Sequence, residues 1–421
     1  MYTLTDTAKA TILLCSHLSM TDRRYRPFTP LEWNKLGQVL IASEVKEPGR
    51  LLGMSAKEIQ EALKLSAMEA ERIEVLLARG VNVAFTLDML AKRSIFVVTK
   101  SDAAYPTALK QFLPPSKMPP VLFYCGDLSL AESDGIAIVG SRDLDTEGEQ
   151  ETKRLAAEAV HHGFTVYSGG ARGVDSIAAQ TSLSSGGRTV AFLSDSLERR
   201  IKKQQVRESI QSGHMLLLSA ILPSAGFSVG NAMARNKYVY ALSKAAFVIA
   251  SSKDSGGTWA GALESLKEGY APVYVWKTTR YPGNEALIQR GAHPFGDAID
   301  WQAVARGVQS VRRPDLTMDS LFTNKTSSDS STNAPLADSP AMETVSESRS
   351  MISSSDEATV FQAVWPLLHR ALRETDSEGK LLDLLGKDVV KKQLHIWLQL
   401  AMEKGLVVRK THPIRYQLSH E

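Results

Sequence analysis

"VYSGGARGVDSIAAQTSL", Val166–Leu183, runs from a short apolar stretch through a Gly-rich turn into a segment of helical composition. A strand, a tight turn and a helix in that order form a βα unit, and such a turn commonly seats a phosphate at the helix start. Outward from it stand "GIAIVGSR", "RTVAFLSD", "HMLLLSAI", "AAFVIASS" and "APVYVWK", most of them separated by a helix-like stretch. Each run is continuously apolar rather than alternating, as in strands buried on both faces. Strands alternating with helices predict right-handed crossovers. The fold class is therefore α/β: a doubly wound, mostly parallel, Rossmann-like sheet. Two earlier apolar runs, Ile95–Val98 and Val121–Tyr124, flank a proline-rich turn region and belong to the same domain.

The flanks read differently. Residues 1–92 are predicted helical, a small module of the SAM or helix-hairpin-helix kind. Thr5–Asp6 and Thr29–Pro30 mark helix starts, Ser55 and Ser66 are caps, and Gly80 marks a helix end. The α/β domain spans 93–312. Residues 313–356 are Ser/Thr-rich and nearly free of aromatics, a composition that cannot bury a core and predicts a disordered linker. Residues 357–421 regain helical stripes and finish in "LVVRKTHPIRYQL", two strands around a Pro turn, which predicts a winged-helix-like domain. Its cations Lys387, Lys391, Lys392, Arg409, Lys410 and Arg415 suit either duplex DNA or protein docking.

Of 421 residues, 43% are hydrophobic and 23% charged, an ordinary globular balance. The formal net charge is only +3, so any polyanion must be held by a local patch. Cys15 and Cys125 lack metal-ligand or redox spacing and read as buried thiols of a reducing compartment. "ATILLCSHLSM" is too short and too polar to export the chain or span a bilayer, which predicts a cytoplasmic protein with no membrane partner.

In an open α/β sheet ligands sit beyond the carboxyl ends of the strands. The residues expected there are Gly140, Ser141 and Arg142 after one strand, and Ser168, Gly169, Gly170, Arg172 and Gly173 after the next. Arg235, Asn236 and Lys237 head "ARNKYVYALS", Ser255, Gly256 and Thr258 open a later helix, and Asn284 follows the last strand. Glycines allow backbone N–H groups to face an anion, and Arg offers a two-pronged fork for phosphate. Neither the dinucleotide fingerprint nor a Walker loop occurs, and no metal motif or nucleophile–base pair emerges. Asp175, Asp254 and Glu264 are the nearby carboxylates, read as helix caps and partners for Arg172 or Lys237. No catalytic residue, metal or cofactor is expected.

Together these motifs, with "DAAYPTALKQFLPPSKMPPVLFYCGD" before them and "GNEALIQRGA" after, resemble the DprA/Smf family of DNA-processing proteins. The resemblance implies a Rossmann-like domain that binds single-stranded DNA, loads a RecA-type recombinase and forms a homodimer. It implies that Arg142 and Lys237 contact phosphates and that Gly169, Arg172 and Gly173 line the central pocket. Gly170 stands where the family usually has Leu, and Gln180 where it often has His. These departures leave open a divergent relative of a mobile-element or phage-defence locus that senses DNA or a nucleotide. "DSGGTWAGALES" also resembles the helix entry of Lonely Guy nucleotide phosphoribohydrolases, with Glu264 as the acid.

Overall fold

Three reciprocal capping boxes start helices of the amino-terminal third, each pairing a hydroxyl with a Glu three residues on. Helix α1 is Asp6–Cys15 and α2 Pro30–Ala42, the latter begun by Thr29 and Glu32. Helices α3 (Ala56–Leu63) and α4 (Ala67–Leu77) carry the boxes Ser55/Glu58 and Ser66/Glu69. Gly80 does not end the helical region: it opens a further helix, α5 (Gly80–Ala91). The computed structural model describes residues 4–20 and 24–306, and from the carboxy-terminal part 368–369, 371–376, 381, 384, 394, 398, 401–402, 406–411 and 414–418.

Next come β1 (Phe96–Thr99), α6 (Thr107–Phe112), β2 (Val121–Cys125) and β3 (Gly135–Val139). The crossovers follow as α7 (Thr146–His161), β4 (Thr165–Ser168), α8 (Val174–Ser184) and β5 (Thr189–Leu193). Then come α9 (Leu197–Arg200), α10 (Gln204–Gln211), β6 (Met215–Ser219), α11 (Val229–Ala241) and β7 (Ala245–Val248). The domain closes with α12 (Gly256–Glu268), β8 (Val273–Trp276), α13 (Pro282–Gln289), β9 (His293–Phe295) and α14 (Trp301–Arg306). The sheet order is β1-β2-β6-β5-β4-β3-β7-β8-β9. Strands β3 to β9 are parallel, whereas β2 runs antiparallel to β6 and β1 antiparallel to β2. This is the doubly wound, mostly parallel sheet expected from the continuous apolar runs.

Alternation along the strands assigns each face its cover. On β5 and β6, Val190, Phe192, Leu216 and Leu218 share a core with α6, α11, α12 and α13. Ala191, Leu193, Met215 and Leu217 point the other way, into one core with Leu14, Trp33, Leu40, Ile59 and Leu76 of the helical module. Helices α7, α8 and α14 cover the remaining part of that second face through Leu155, Ala178 and Trp301. The amino-terminal module is thus a layer of the α/β domain, covering β1, β2, β5 and β6 together with α9 and α10 of the β5–β6 crossover. Cys125 is buried there, and burial pushes its thiol up to about 11.

The chain divides into two units, Met1–Ser328 and Asp329–Glu421. In the second, β10 (Val407–Thr411) and β11 (Ile414–Leu418) form the antiparallel hairpin read from "LVVRKTHPIRYQL". Leu368, Leu372, Leu394, Leu398 and Tyr416 are buried together beside it. The expected linker at 313–356 and the cations Lys387, Lys391 and Lys392 lie outside the described residues. Among the described residues no helix is long and apolar enough to cross a membrane.

One buried cation fastens the helical layer. Arg79 is 8% exposed. Its guanidinium donates to the carbonyls of Leu13, Ser16, Leu18 and Leu76, at the ends of α1 and α4. Removing the fork orphans several buried acceptors, each worth about 1 kcal/mol or more. Arg79→Met is therefore expected to lower stability by roughly 2–4 kcal/mol in urea unfolding. A loss below about 0.5 kcal/mol, the range of ordinary surface changes, would contradict this role.

Candidate functional site

The chain turns back on itself between β3 and β7, which are neighbours in the sheet although three strands separate them in sequence. The loops beyond their carboxyl ends diverge there and leave a crevice, the usual ligand position in such sheets. The loop after β3 is fixed from both sides: the Ser141 N–H donates to the Ala250 carbonyl (2.9 Å) and the Ser141 carbonyl accepts from Val174 (3.2 Å). Gly173 lies directly against Ser141 and Arg142, so the two Gly-bearing turns stack on one another.

At the bottom of the crevice lies Arg235 of α11, 8% exposed. Its guanidinium rests on the backbone of Gly169, where a Cβ would overlap the nearer terminal nitrogen. Only glycine permits that approach. Asp175 sits 3.9 Å from the same nitrogen and accepts from the N–H groups of Gly169 (3.0 Å) and Ala171 (3.2 Å). Burial pushes the Asp175 carboxyl up, opposed by Arg235 and the two loop donors. Burial likewise lowers the Arg235 guanidinium, opposed by Asp175. The Arg235 Nε is buried with no hydrogen-bond partner.

This arrangement departs from a loop whose N–H groups face an anion. The Gly169 and Ala171 donors are turned inward onto Asp175, and the Gly170 N–H donates to Ser168 Oγ (3.3 Å). Gly170 adopts φ +65°, a left-handed conformation that disfavours the Leu of the family pattern, and its carbonyl accepts from Arg200 (2.8 Å). Attraction for an anion comes instead from side chains and from the start of α12, where Ser255 makes no side-chain cap bond.

Two cavities open around Arg235. The first, about 390 Å³, is lined by Gly140, Ser141, Arg142, Asn236, Ser255, Gly256 and Thr258, with Phe227, Val229 and Met233 as an apolar wall. The second, about 560 Å³, is lined by Gly169, Gly170, Arg172, Ser194, Ser196, Arg199, Arg200 and Lys203. Arg142, Ala171, Phe227 and Arg235 border both, so the two form one bent groove. Phe227 is 48% exposed, with the Arg142 guanidinium 5.0 Å from its ring centre. Asn236 donates to the Gly257 carbonyl (2.9 Å) and so holds α11 against the start of α12.

Most of the residues singled out in the sequence meet here, but not all. Ser168 is buried beneath the loop, and Gly173 packs between the turns without lining either cavity. Lys237 also lines neither; burial lowers its ammonium, with Glu264 pulling the other way and Lys117 reinforcing the fall. Glu264 accepts from Lys117 (3.0 Å) and from the Tyr270 hydroxyl (3.2 Å), also away from the cavities. Asp254 pairs with Arg290 at 3.8 Å. Asn284 is fully buried and ties the ends of β7 and β8 through Ser251, Ile249 and Trp276. Sequence reading missed Phe227, Arg199, Arg200 and Lys203; the density of cations in "RRIKKQQVR" is the signal that marks the last three.

Gly169→Ala forces the Arg235 guanidinium off the loop. Overpacking of this kind costs about 1–3 kcal/mol, read as a lower urea midpoint with unchanged slope. An unchanged midpoint would show that the guanidinium moves aside freely.

Residues 96–304 match the family model of DNA recombination-mediator protein A. The chain is 34% identical over 165 residues to Protein Smf of Synechocystis, covering 38% of this chain and 40% of that one. It is 27% identical over 214 residues to DNA processing protein DprA of Bacillus subtilis, covering 50% of this chain and 71% of that one. Its fold is similar to that of DNA processing protein A from Streptococcus pneumoniae, with TM-score 0.51, 22% identity, and coverage of 70% and 95% of the respective chains. With its Gly-rich turns, its Arg235 crevice and these matches, the chain belongs to the DprA/Smf family of DNA-processing proteins.

Proposed function

We propose that the protein binds single-stranded DNA along the bent groove, in the cytoplasm, and passes it to a RecA-type recombinase. The observation that carries this reading is Arg235: a largely buried guanidinium that lines both cavities, with Asp175 at 3.9 Å as its counter-charge. A buried charge without full partners is costly unless a ligand supplies them. A phosphodiester does so, and two adjoining cavities of about 390 and 560 Å³ offer a strand more room than one mononucleotide needs. Phe227 offers a face on which a base of any identity can stack, as sequence-tolerant strand binders require. RecA hand-off and a homodimer belong to the same proposal and rest on family membership.

Binding without catalysis is part of this reading. Of the carboxylates lining the groove, Asp175 holds the loop donors and Asp195 accepts from Arg200, while Asp143 stands beside Arg142 in the first cavity. A phosphoribohydrolase needs Glu264 in the cavity, which it does not line.

Fluorescence anisotropy with labelled oligo-dT tests the reading. Affinity should fall with salt, and Arg142→Ala should weaken it about tenfold or more, as removal of a charge-assisted hydrogen bond does. Lys237→Ala should change it by less than about threefold, because a charge off the groove acts only through screened solvent. Thermal stabilisation by a mononucleotide with none by oligo-dT would overturn the proposal in favour of a nucleotide sensor.

A further inference from the structure

The groove does not end its positive charge where its walls end. Residues 199–207, "RRIKKQQVR", hold five cations and no carboxylate, in a chain whose whole net charge is +3. Arg199, Arg200 and Lys203 line the second cavity, whereas Lys202 and Arg207 lie beyond it, both exposed. Lys203 immediately precedes α10, and the Arg207 N–H donates to its carbonyl (3.1 Å), one helical turn on. Lys203 is thus the extended residue that leads into α10, and Arg207 stands in the first turns of the helix.

The neighbouring acids pair with only one of these five cations. Asp195 is paired with Arg200 (3.3 Å), Glu198 with Arg93 (3.2 Å), and Glu208 accepts from Gln204 (2.9 Å). Among the described residues, no ion pair engages Arg199, Lys202, Lys203 or Arg207. Like charges this close together repel one another. Neutral or acidic residues would relieve that repulsion, so the pattern suits a polyanion.

We propose that the strand leaving the second cavity continues over the α9–α10 ridge, its next phosphates held by Lys202 and Arg207. The occupant is single-stranded DNA, identified by continuity with the groove and by charge. The proposal rests on the groove binding a strand, and it makes a separate claim about length. An oligonucleotide just long enough to fill the cavities never reaches the ridge; a longer one does.

The test compares oligo-dT of roughly six and roughly twenty nucleotides, site sizes that separate groove from ridge. Each is titrated against the full chain, the double variant Lys202→Ala/Arg207→Ala, and a charge-matched control, Lys35→Ala/Lys57→Ala, on the helical module. The ridge variant should bind the long strand about fivefold more weakly and the short strand within about twofold of wild type. Its salt slope on the long strand should be shallower by about 1.4, roughly 0.7 for each phosphate that no longer has a cation. Equal losses on both lengths, no loss on the long strand, or the same loss in the control would each overturn the ridge while leaving the groove standing. Failure of the wild type to bind either oligonucleotide would overturn both.

Discussion

A guanidinium lying on a glycine backbone sets the geometry of this site. Arg235 approaches Gly169 more closely than any side chain at that position would allow, and Asp175 receives both the loop donors and the field of the cation. Each of the three needs the other two. Without Asp175 the loop donors are orphaned and the buried cation loses its nearest counter-charge; without the glycine the cation cannot reach its place. The charge is compensated from one side only, which leaves it attractive to an anion arriving from the groove.

The elements that hold this triangle come from distant parts of the chain. The β3 and β7 loops form the first wall, and α11 brings Arg235 across from the opposite side. Strands β5 and β6 carry α9 and its arginines to the second cavity. Those strands are covered on one face by the amino-terminal helices, whose residues share a core with Leu193 and Leu217. The helical layer is therefore part of what keeps the second cavity in shape.

Much of this was legible in the sequence for a physical reason. Strands of a parallel sheet are apolar on both faces, so β3 to β8 stood out as continuous runs. The strand β9, "HPF", has two exposed residues and no such run. The directions of β1 and β2 were not legible, because an apolar run looks the same in parallel and antiparallel pairing. Helix α5 was hidden because only Val83 and Leu90 are buried and Gly80 reads as a terminator. At the site, Gly, Ser and Arg in βα turns identified the crevice. The inward turn of the loop donors did not show, since Asp175 reads in sequence as an ordinary first-turn acid. Arg199, near the end of the four-residue α9, and Lys203, at the start of α10, show in sequence only as part of a cation-rich run; tertiary structure brings them to the second cavity.

The most direct measurement is oligo-dT affinity of the charge-balanced double variant Asp175→Asn/Arg235→Gln, whose fold is checked by circular dichroism. Asn retains an acceptor for the loop and Gln fills much of the arginine's space, so neither buried charge is left alone. With Arg142 and the outer cations intact, the expected result is a folded protein whose affinity falls about thirtyfold or more, equivalent to roughly 2 kcal/mol from a buried charge-assisted hydrogen bond. A folded double variant that binds oligo-dT as tightly as wild type would contradict a central role for Arg235.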